Sequence, residues 1–418
     1  MAKKQVYAAL EIADREVRLV VLEVFDSRNN ILRVEKVPCA GIDKTTIVNE
    51  SAVVKAIQQA IRQAETALGY RIERVLLAIP GSDVIRSAQK IHITIEDGTK
   101  NIRLFHIQQG LAKAMQKKAD EDHELININK ITYVVNDIPT ERIPVGMEAE
   151  SFEMEVDLLY VDKARLYAFA RAVEQSNLEI IDVCLDVYAQ ARESAALGLS
   201  AERPIILLNL DDDHTSLVLA MQEKIMTAAE IDKGLRYFTS DLQTKFRLSD
   251  DISYRLLTNL FSSKEEDNKD VIIYIESQDG HNVEVTQSDL ARLVLPKIRE
   301  WIMDINEACA GIVKDGKARY MITGKGSNLV ILEEMTGAFN APASVYQVTA
   351  IGARDGAYTA GLGMSYVWQD MNRIKKDDRI SVSRNELEES IETISRITRD
   401  EEGGFTQKLK RVILSNNS

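Results

Sequence analysis

Cysteine, histidine and long apolar runs are all scarce in this chain of 418 residues. Its cysteines are Cys39, Cys184 and Cys309, which are far apart and odd in number, so reduced thiols are predicted and a disulfide framework is not. Its 5 histidines have no paired spacing such as HxxxH, which argues against a zinc site. No stretch approaches about 18 consecutive apolar residues, the length that a bilayer-spanning helix requires.

The chain also has fewer basic residues than acidic ones. Lysine and arginine number 52 against 65 acidic residues, and the net charge of -13 argues against a broadly basic surface that binds nucleic acid. The first residues, MAKKQVYAALEIADREVRL, lack the apolar run and the small-residue cleavage site of a signal peptide, so they are predicted to form a first strand. The length is too great for one hydrophobic core and indicates two or more domains.

The order β-β-β-α-β occurs twice in the pattern of apolar residues. The first unit has predicted strands at 6–12, 17–25 and 31–37, a helix at 50–68 and a strand at 75–79. The second has predicted strands at 204–210, 215–221 and 224–230, a helix at 234–246 and a strand at 320–322. Because each unit combines antiparallel hairpins with a helical crossover, an α/β fold with mixed, helix-covered sheets is predicted. One α/β domain joined to an unrelated domain is the alternative.

Two inserts and a charged segment interrupt or follow the repeat. The first insert, 86–177, is predicted to contain helices at 104–118 and 162–176 and strands at 131–136 and 152–160. The second, 247–319, is predicted to be mostly helical and to include one helix at 287–313. The stretch 375–404 is dense in charge and almost free of aromatic residues, as is typical of a tether.

A duplicated unit of this kind resembles the actin/Hsp70/hexokinase superfamily, and three local matches resemble its bacterial FtsA family. AGIDKTTIVNESAVVKAIQQAIRQAE is similar to the family segment after the third strand. VNDIPTERIPVGMEAESFEMEVDLLYV is similar to the "PVGM" region of subdomain 1C, which in that family replaces the usual actin subdomain. The third match is the tail at 405–414, which follows an acidic tether.

The resemblance implies an actin-like, two-lobed α/β fold with a 1C insert. The implied division is subdomain 1A at 1–85 and 178–203 with a closing helix at 346–372, subdomain 1C at 86–177, subdomain 2A at 204–246 and 320–345, subdomain 2B at 247–319, a flexible tether at 373–404 and an amphipathic membrane-targeting helix at 405–418.

Actin-like folds bind ATP and Mg²⁺ between two hairpins, whose glycines allow backbone N–H groups to approach the phosphates. The residues that match those positions here are Glu11, Ala13 and Asp14 in the first hairpin, Asn209, Asp211, Asp212, Asp213 and His214 in the second, and Gly324, Lys325 and Gly326 in a third turn. Carboxylates replace the family's glycines or hydroxyls, and Asn209 replaces an acidic residue.

These substitutions predict a pseudo-ATPase, or at best a weak ATP binder with no catalytic residue. Two like charges about 4 Å apart repel by about 1 kcal/mol in water and about 4 kcal/mol at an effective dielectric near 20, so the aspartates are expected to oppose a triphosphate. A bound Mg²⁺ or Ca²⁺ could offset their charge, but a solvated β-turn is the preferred interpretation and no metal site is predicted. Lys325 is predicted to be a surface lysine, with a phosphate contact as the alternative.

The tail has the pattern of an amphipathic helix. At 100° per residue one face carries Phe405, Leu409, Val412 and Ile413, and the opposite face carries Gln407, Lys408, Lys410 and Arg411. An apolar face beside a basic one is typical of a helix that lies in an anionic membrane interface. The alternative is a terminal helix docked on the protein itself.

Family resemblance also implies the partners. They are the C-terminal peptide of FtsZ, further copies of the same chain in a filament, later division proteins through the 1C insert, and the cytoplasmic face of the membrane at the division septum. Lys297 and Arg299 match a basic stretch of subdomain 2B that would contact the FtsZ peptide. An ATPase or sugar-kinase relative and a PilM-like pilus-assembly adaptor are the rival hypotheses.

Overall fold

A computed structural model describes residues 4–25, 28–264, 269–278 and 281–383. We divide them into an N-terminal lobe, residues 4–203 and 346–383, and a C-terminal lobe, residues 204–345. The strands of the N-terminal lobe are β1 (Gln5–Ala13), β2 (Glu16–Phe25), β3 (Arg28–Pro38), β4 (Ile42–Asp43), β5 (Thr46–Ile47), β6 (Arg74–Ile79), β7 (Ile85–Thr94), β8 (His123–Val135), β9 (Ile138–Thr140), β10 (Ser151–Asp162) and β11 (Glu179–Leu185). Its helices are α1 (Glu50–Leu68), α2 (Leu104–Met115), α3 (Lys163–Gln175), α4 (Asp186–Glu193) and α5 (Ala196–Leu199), and α11 (Thr359–Lys375) joins them after the second lobe.

The C-terminal lobe contains a second set of strands and helices, after which the chain returns to the N-terminal lobe. Its strands are β12 (Ile205–Leu210), β13 (Thr215–Met221), β14 (Lys224–Ile231), β15 (Ile272–Gln278), β16 (His281–Thr286), β17 (Arg319–Thr323) and β18 (Ala343–Val345). Its helices are α6 (Leu235–Phe246), α7 (Asp250–Leu257), α8 (Gln287–Ala308), α9 (Ala310–Val313) and α10 (Val330–Glu334).

The main sheets of the two lobes have the same topology. Within the described residues, the first sheet has the order β11-β6-β1-β2-β3 and the second the order β18-β17-β12-β13-β14. In each sheet three antiparallel strands form a meander, and a fourth strand pairs in parallel with the first strand of that meander. The predicted structural repeat is therefore confirmed, and an unrelated second domain is excluded as an explanation of the pattern.

Local sequence explains why these elements form where they do. The side chain of Asn49 caps α1 by accepting a hydrogen bond from the N–H of Ala52, and Gly69 ends the helix at φ 79°. The apolar face of α1 covers one side of the N-terminal sheet, whose strands β1 and β2 are almost continuously buried. In the C-terminal lobe, Trp301 of α8 is fully buried and donates a hydrogen bond of 2.9 Å from Nε1 to Thr215 Oγ1 of β13.

Both inserts differ in detail from the sequence prediction. In the first insert β8 begins at His123 and not near residue 131, and it lies in a sheet of order β7-β10-β8-β9 whose edge strand β7 was not predicted. The prediction of a mostly helical second insert was wrong in one part, because the β-branched run around Ile272 and Ile273 forms the hairpin of β15 and β16. The predicted single helix at 287–313 ends instead at Ala308, where Cys309 leaves the helical conformation before the short α9.

The first residues of the predicted tether are packed and do not behave as a free linker. After α11 the chain crosses the N-terminal ends of β1 and β6, where Ser381 is fully buried. Its N–H donates to the carbonyl of Val6 at 2.9 Å, and its Oγ accepts from the N–H of Ala8 at 2.8 Å. We call residues 377–383 the strap. In the ranges that the structure covers, no helix has both the length and the apolarity to cross a bilayer.

Candidate functional site

The candidate site lies where the turns of the two equivalent hairpins meet between the lobes. Asp14 stands in the turn from β1 to β2, and residues 211–214 link β12 to β13. Asp14 Oδ2 accepts hydrogen bonds of 2.8 Å from the N–H of Asp213 and from Nδ1 of His214, both in the other lobe. The positions predicted from the sequence are therefore brought together.

Arg18 of β2 organises the charges behind these turns. The side chain is 2% exposed and donates two hydrogen bonds of 2.7 Å from Nη2 to both carboxylate oxygens of Asp211. Its Nε donates to Glu16 Oε1 at 2.6 Å, and Nη1 lies 3.4 Å from Glu11 Oε1. One guanidinium thus joins three carboxyl groups from both lobes, which uses the fork of donors that only arginine provides.

The prediction of a surface lysine at position 325 was wrong. Lys325 is 7% exposed, and its Nζ lies 2.7 Å from Asp212 Oδ2 and 3.4 Å from Glu16 Oε2. It also lies over the ring of Tyr254, 5.3 Å from the centroid. The turn that carries it starts at Gly324, whose φ is 72° and where a Cβ would collide with Oδ1 of Asn209, so the position has no room for a side chain.

The solvated β-turn predicted for Asp211, Asp212 and Asp213 was also wrong. Asp211 is buried, and the other two are only partly exposed. Asp213 is paired with Arg236 at 2.8 Å and lies 3.5 Å from Arg15. The isolated repulsion expected from three aspartates is therefore offset, because basic groups of the same chain face each of them.

Burial and neighbouring charges shift the pKa values of this cluster in opposite directions. Burial would raise the pKa of Asp211, but the charges of Arg18 and Lys325 lower it overall. Burial raises the pKa of Glu11 to about 8, so that at neutral pH this carboxyl group is mostly protonated. Burial would lower the pKa of His214, but its hydrogen bond to Asp14 raises the pKa to about 9, so the imidazole is charged at neutral pH.

The space between the lobes has two unequal parts. We call the first the deep end, a cavity of about 10 Å³ lined by Glu11, Ile12, Ala13, Asp14, Lys44, Ala78, Ile79, Pro80, Asp186, Asn209, Asp211 and His214. We call the second the outer end, a cleft of about 720 Å³ lined by Arg15, Glu16, Lys36, Pro38, Cys39, Ala40, Asp212, Leu235, Arg236, Thr239, Asp250, Asp251, Tyr254, Arg255 and Lys325. The deep end is the part that lies between the two hairpin turns.

The deep end has room for about one water molecule in this arrangement of side chains. The N–H of Asp212 donates to Asp211 Oδ1 at 3.0 Å, that of Asp213 to Asp14 and that of Asp211 to the carbonyl of His214 at 3.1 Å. These backbone donors therefore have partners within the protein. Within the described residues, no group of three or more His, Cys, Asp or Glu side chains has the geometry of a metal site.

Comparisons with known protein sequences indicate which proteins this chain resembles. No protein-family model matches the chain. It is 21% identical over 369 residues to cell division protein FtsA of Bacillus subtilis (strain 168), covering 87% of this chain and 83% of that protein. It is 20% identical to cell division protein FtsA of Borreliella burgdorferi, covering 89% of this chain and 94% of that protein.

Comparisons with solved structures show which known folds this chain resembles. The fold resembles a PilM-PilN type IV pilus biogenesis complex, with a TM-score of 0.54, 14% identity, and coverage of 86% of this chain and 97% of that one. It also resembles MreB5 of Spiroplasma citri bound to ADP, with a TM-score of 0.52, 10% identity, and coverage of 89% and 99%. The chain is an FtsA-like protein with the actin-like fold. The predicted resemblance and fold class are thereby confirmed.

The predicted FtsZ contacts, Lys297 and Arg299, do not line either part of the cleft. Lys297 and Arg299 are on α8, where Lys297 Nζ lies 4.8 Å from the ring centroid of Tyr237 and 3.5 Å from Asp241. Arg299 is exposed and donates to the carbonyl of Ser263 at 3.3 Å. The predicted membrane residues, Phe405, Lys408, Leu409, Lys410, Arg411, Val412 and Ile413, lie outside the described residues.

Sequence reasoning missed Arg18, Glu16 and Arg236 as parts of the site. Arg18 had a usable signal, because it interrupts the apolar run at 17–22 of β2. A charged residue in a strand that is buried on both faces needs a partner in the interior, and the hairpin aspartates were the available anions. Arg236 carried no such signal, because a basic residue near the start of a helix is commonly exposed.

Proposed function

We propose that the chain is a bacterial cell-division scaffold that assembles on the cytoplasmic face of the membrane and anchors FtsZ filaments there. The relatives named as cell division protein FtsA support the cell-division role. The observation that carries the proposal is the duplicated actin-like body with an insert of its own sheet, β7-β10-β8-β9, between β6 and β11. That sheet offers a surface for later division proteins, and the duplicated body offers one for further copies of the chain.

We further propose that the chain is not an ATPase. The paired charges of the deep end support this, since backbone donors and basic groups that would serve a phosphate are engaged within the protein. Isothermal calorimetry with Mg²⁺ and ATP is expected to give no heat of tight binding. Micromolar binding or measurable phosphate release would contradict this part of the proposal.

Membrane attachment is tested on the tail. Phe405→Glu or Leu409→Glu should release the protein from vesicles that contain anionic lipid, because a glutamate on the apolar face forfeits roughly 2 kcal/mol of transfer free energy and adds a repelled charge. Co-sedimentation with liposomes measures the effect. Asn416→Glu adds the same charge beyond the apolar face and should sediment as the parent does. Equal sedimentation of all variants would place the attachment elsewhere.

FtsZ anchoring is tested on α8. The double variant Lys297→Glu and Arg299→Glu should weaken binding of a peptide from the FtsZ C-terminus and leave the melting temperature nearly unchanged. Lys314→Glu, a charge reversal at an exposed position after α9, is the control. Unchanged peptide affinity in the double variant would remove these two residues from the interface.

A pilus-assembly adaptor is the second candidate, and the similarity to the PilM-PilN complex favours it. The two candidates differ in the peptide that they bind. Pull-down with an FtsZ C-terminal peptide, run beside a PilN-type N-terminal peptide, separates them. Electron microscopy on lipid monolayers then tests assembly, and filaments that form only on lipid are the expected result.

A further inference from the structure

Three sets of charged contacts around the hairpin turns connect one lobe to the other. Arg18 of the N-terminal lobe binds both oxygens of Asp211 in the C-terminal lobe at 2.7 Å. His214 of the C-terminal lobe lies 2.8 Å from Asp14 of the N-terminal lobe. Lys325 joins Asp212 of its own lobe to Glu16 of the other. Separating the lobes would therefore break ion pairs and leave their members without partners.

The carboxylates of these pairs bind the backbone N–H groups that would otherwise be available to an external anion such as a phosphate. Asp14 accepts a backbone N–H from the opposite hairpin, and Asp211 accepts one from its own turn. Such contacts are the ones that a loop of backbone N–H groups makes with a phosphate oxygen. The anion between the hairpins is thus supplied by the chain itself.

The charges also leave no excess of cations. Apart from the mostly protonated Glu11, the paired acidic residues are Asp14, Glu16, Asp211, Asp212, Asp213 and Asp250, and the basic groups facing them are Arg15, Arg18, His214, Arg236 and Lys325. Six carboxylates against five cations leave no net positive charge for a further anion. Because Arg18, Asp211, Asp14 and His214 are buried, salt screens their interactions only weakly.

We propose that Arg18, Asp211, Lys325, Glu16, Asp14 and His214 form an internal clamp, which holds the two lobes closed without a ligand between them. A nucleotide cannot shift the lobes toward closure if the closed state is already the ground state and offers it no additional contacts. The closed arrangement is then a property of the sequence and does not depend on ATP or ADP. That the clamp also frees filament assembly from nucleotide rests on the proposed scaffold function.

Hydrogen exchange at two amides tests the clamp directly. The N–H of Asp213 donates to Asp14, and the N–H of Ile225 donates to Asn129 Oδ1 at 2.9 Å, so each depends on an acceptor in the other lobe. In the full-length protein without nucleotide or lipid, we expect both amides to be protected, and Mg²⁺ with ATP to leave their rates unchanged. Free exchange at Asp213, or protection that appears only with nucleotide, would overturn the proposal.

A pair of lysine variants sharpens the test. Lys325→Met removes a link between the lobes and should speed exchange at Asp213 by about tenfold or more, as opening of the lobes becomes less costly. Lys245→Met removes a lysine paired with Asp289 at 2.8 Å within the C-terminal lobe and should leave that rate within about twofold of the parent. Equal rates in both variants would count against the clamp, and the measurement on the parent decides the question even if Lys325→Met does not fold.

Assembly on lipid is measured separately, so that the two proposals can fail independently. If the amides are protected but no filaments form on lipid monolayers, the clamp stands and the scaffold function fails. If the amides are protected but filaments form only when ATP is added, the clamp and the scaffold function stand, and the nucleotide independence of assembly fails. If filaments form but Asp213 exchanges freely, the scaffold function stands and the clamp fails.

Discussion

The deep end and the outer end of the cleft are built from the same kinds of side chain but differ in how those side chains are used. At the deep end, Asp14, Asp211 and His214 are buried and paired across the lobes, and about 10 Å³ of space remains. At the outer end, the buried pair of Lys325 with Asp212 lies beside more exposed pairs such as Lys36 with Asp355, and about 720 Å³ is open. The comparison indicates that charge in a cleft does not by itself make a binding site, because charges that satisfy each other close the cleft to ligands.

Removing the central cation should have the largest effect on this comparison. Arg18→Met leaves Asp211 and Glu16 buried without their arginine, and the loss of one partner from a buried pair costs about 3–5 kcal/mol in the free energy of unfolding. Urea denaturation measures the loss. Arg171→Met removes an arginine whose pair with Glu50 is exposed, and it should cost far less, because solvent screens an exposed pair. Similar losses in the two variants would mean that the deep end is no more stabilising than the surface.

The pH dependence of stability should reflect the titration of His214 and Glu11 at the deep end. His214 has a pKa of about 9 in the folded protein against an ordinary value of 6.5, so its stabilisation is complete below about pH 6.5 and is lost as the pH rises through 9. Glu11, whose pKa is raised to about 8, acts in the same direction between its ordinary value of 4.5 and pH 8. The melting temperature should therefore fall by about a few degrees between pH 6.5 and pH 9.

Two histidine variants check the source of that slope. His214→Asn should make the fall in melting temperature shallower, because the charged imidazole beside Asp14 is absent. His123→Asn removes a histidine beside Asp120 on the surface and should keep the slope of the parent. A melting temperature that rises with pH in the parent would show that other groups dominate.

A substitution at the outer end should change the free energy of unfolding least. Lys36→Gln removes the ion pair with Asp355, whose two side chains are both about one-third exposed, and exposed pairs contribute about 0–1 kcal/mol. The free energy of unfolding should change by less than about 1 kcal/mol in the same urea assay. A loss as large as that of Arg18→Met would remove the distinction between the two ends.

Much of the fold could be predicted from the sequence because hydrophobic periodicity is local. The bounds of α1 are those predicted, since Asn49 and Gly69 mark its ends and its apolar spacing marks its buried face. The hairpin of β15 and β16 was missed although its β-branched residues favour strands. The order of strands in each sheet was available only through the repeat and the family resemblance.

The site was predicted in part, for a physical reason. Sequence placed Asp14, Asp211 and Lys325 near one another, but pairing depends on side chains that are far apart along the chain. Arg18 and Asp211 are separated by 193 positions, and no local pattern indicates which cation meets which carboxylate. Charges at a turn are therefore interpreted as solvated, which is the usual outcome when no partner is in view.

The strap has a mechanical consequence. Ser381 of the strap is bonded at the N-terminal ends of β1 and β6, whereas the cleft lies at the opposite ends of those strands, roughly 20 Å away. β1 is paired with β2 on one side and β6 on the other, so tension that enters through the strap is distributed over two ladders of hydrogen bonds. We expect a pull on the tail to be carried by the sheet of the N-terminal lobe, so that the turn at Asp14 is not displaced.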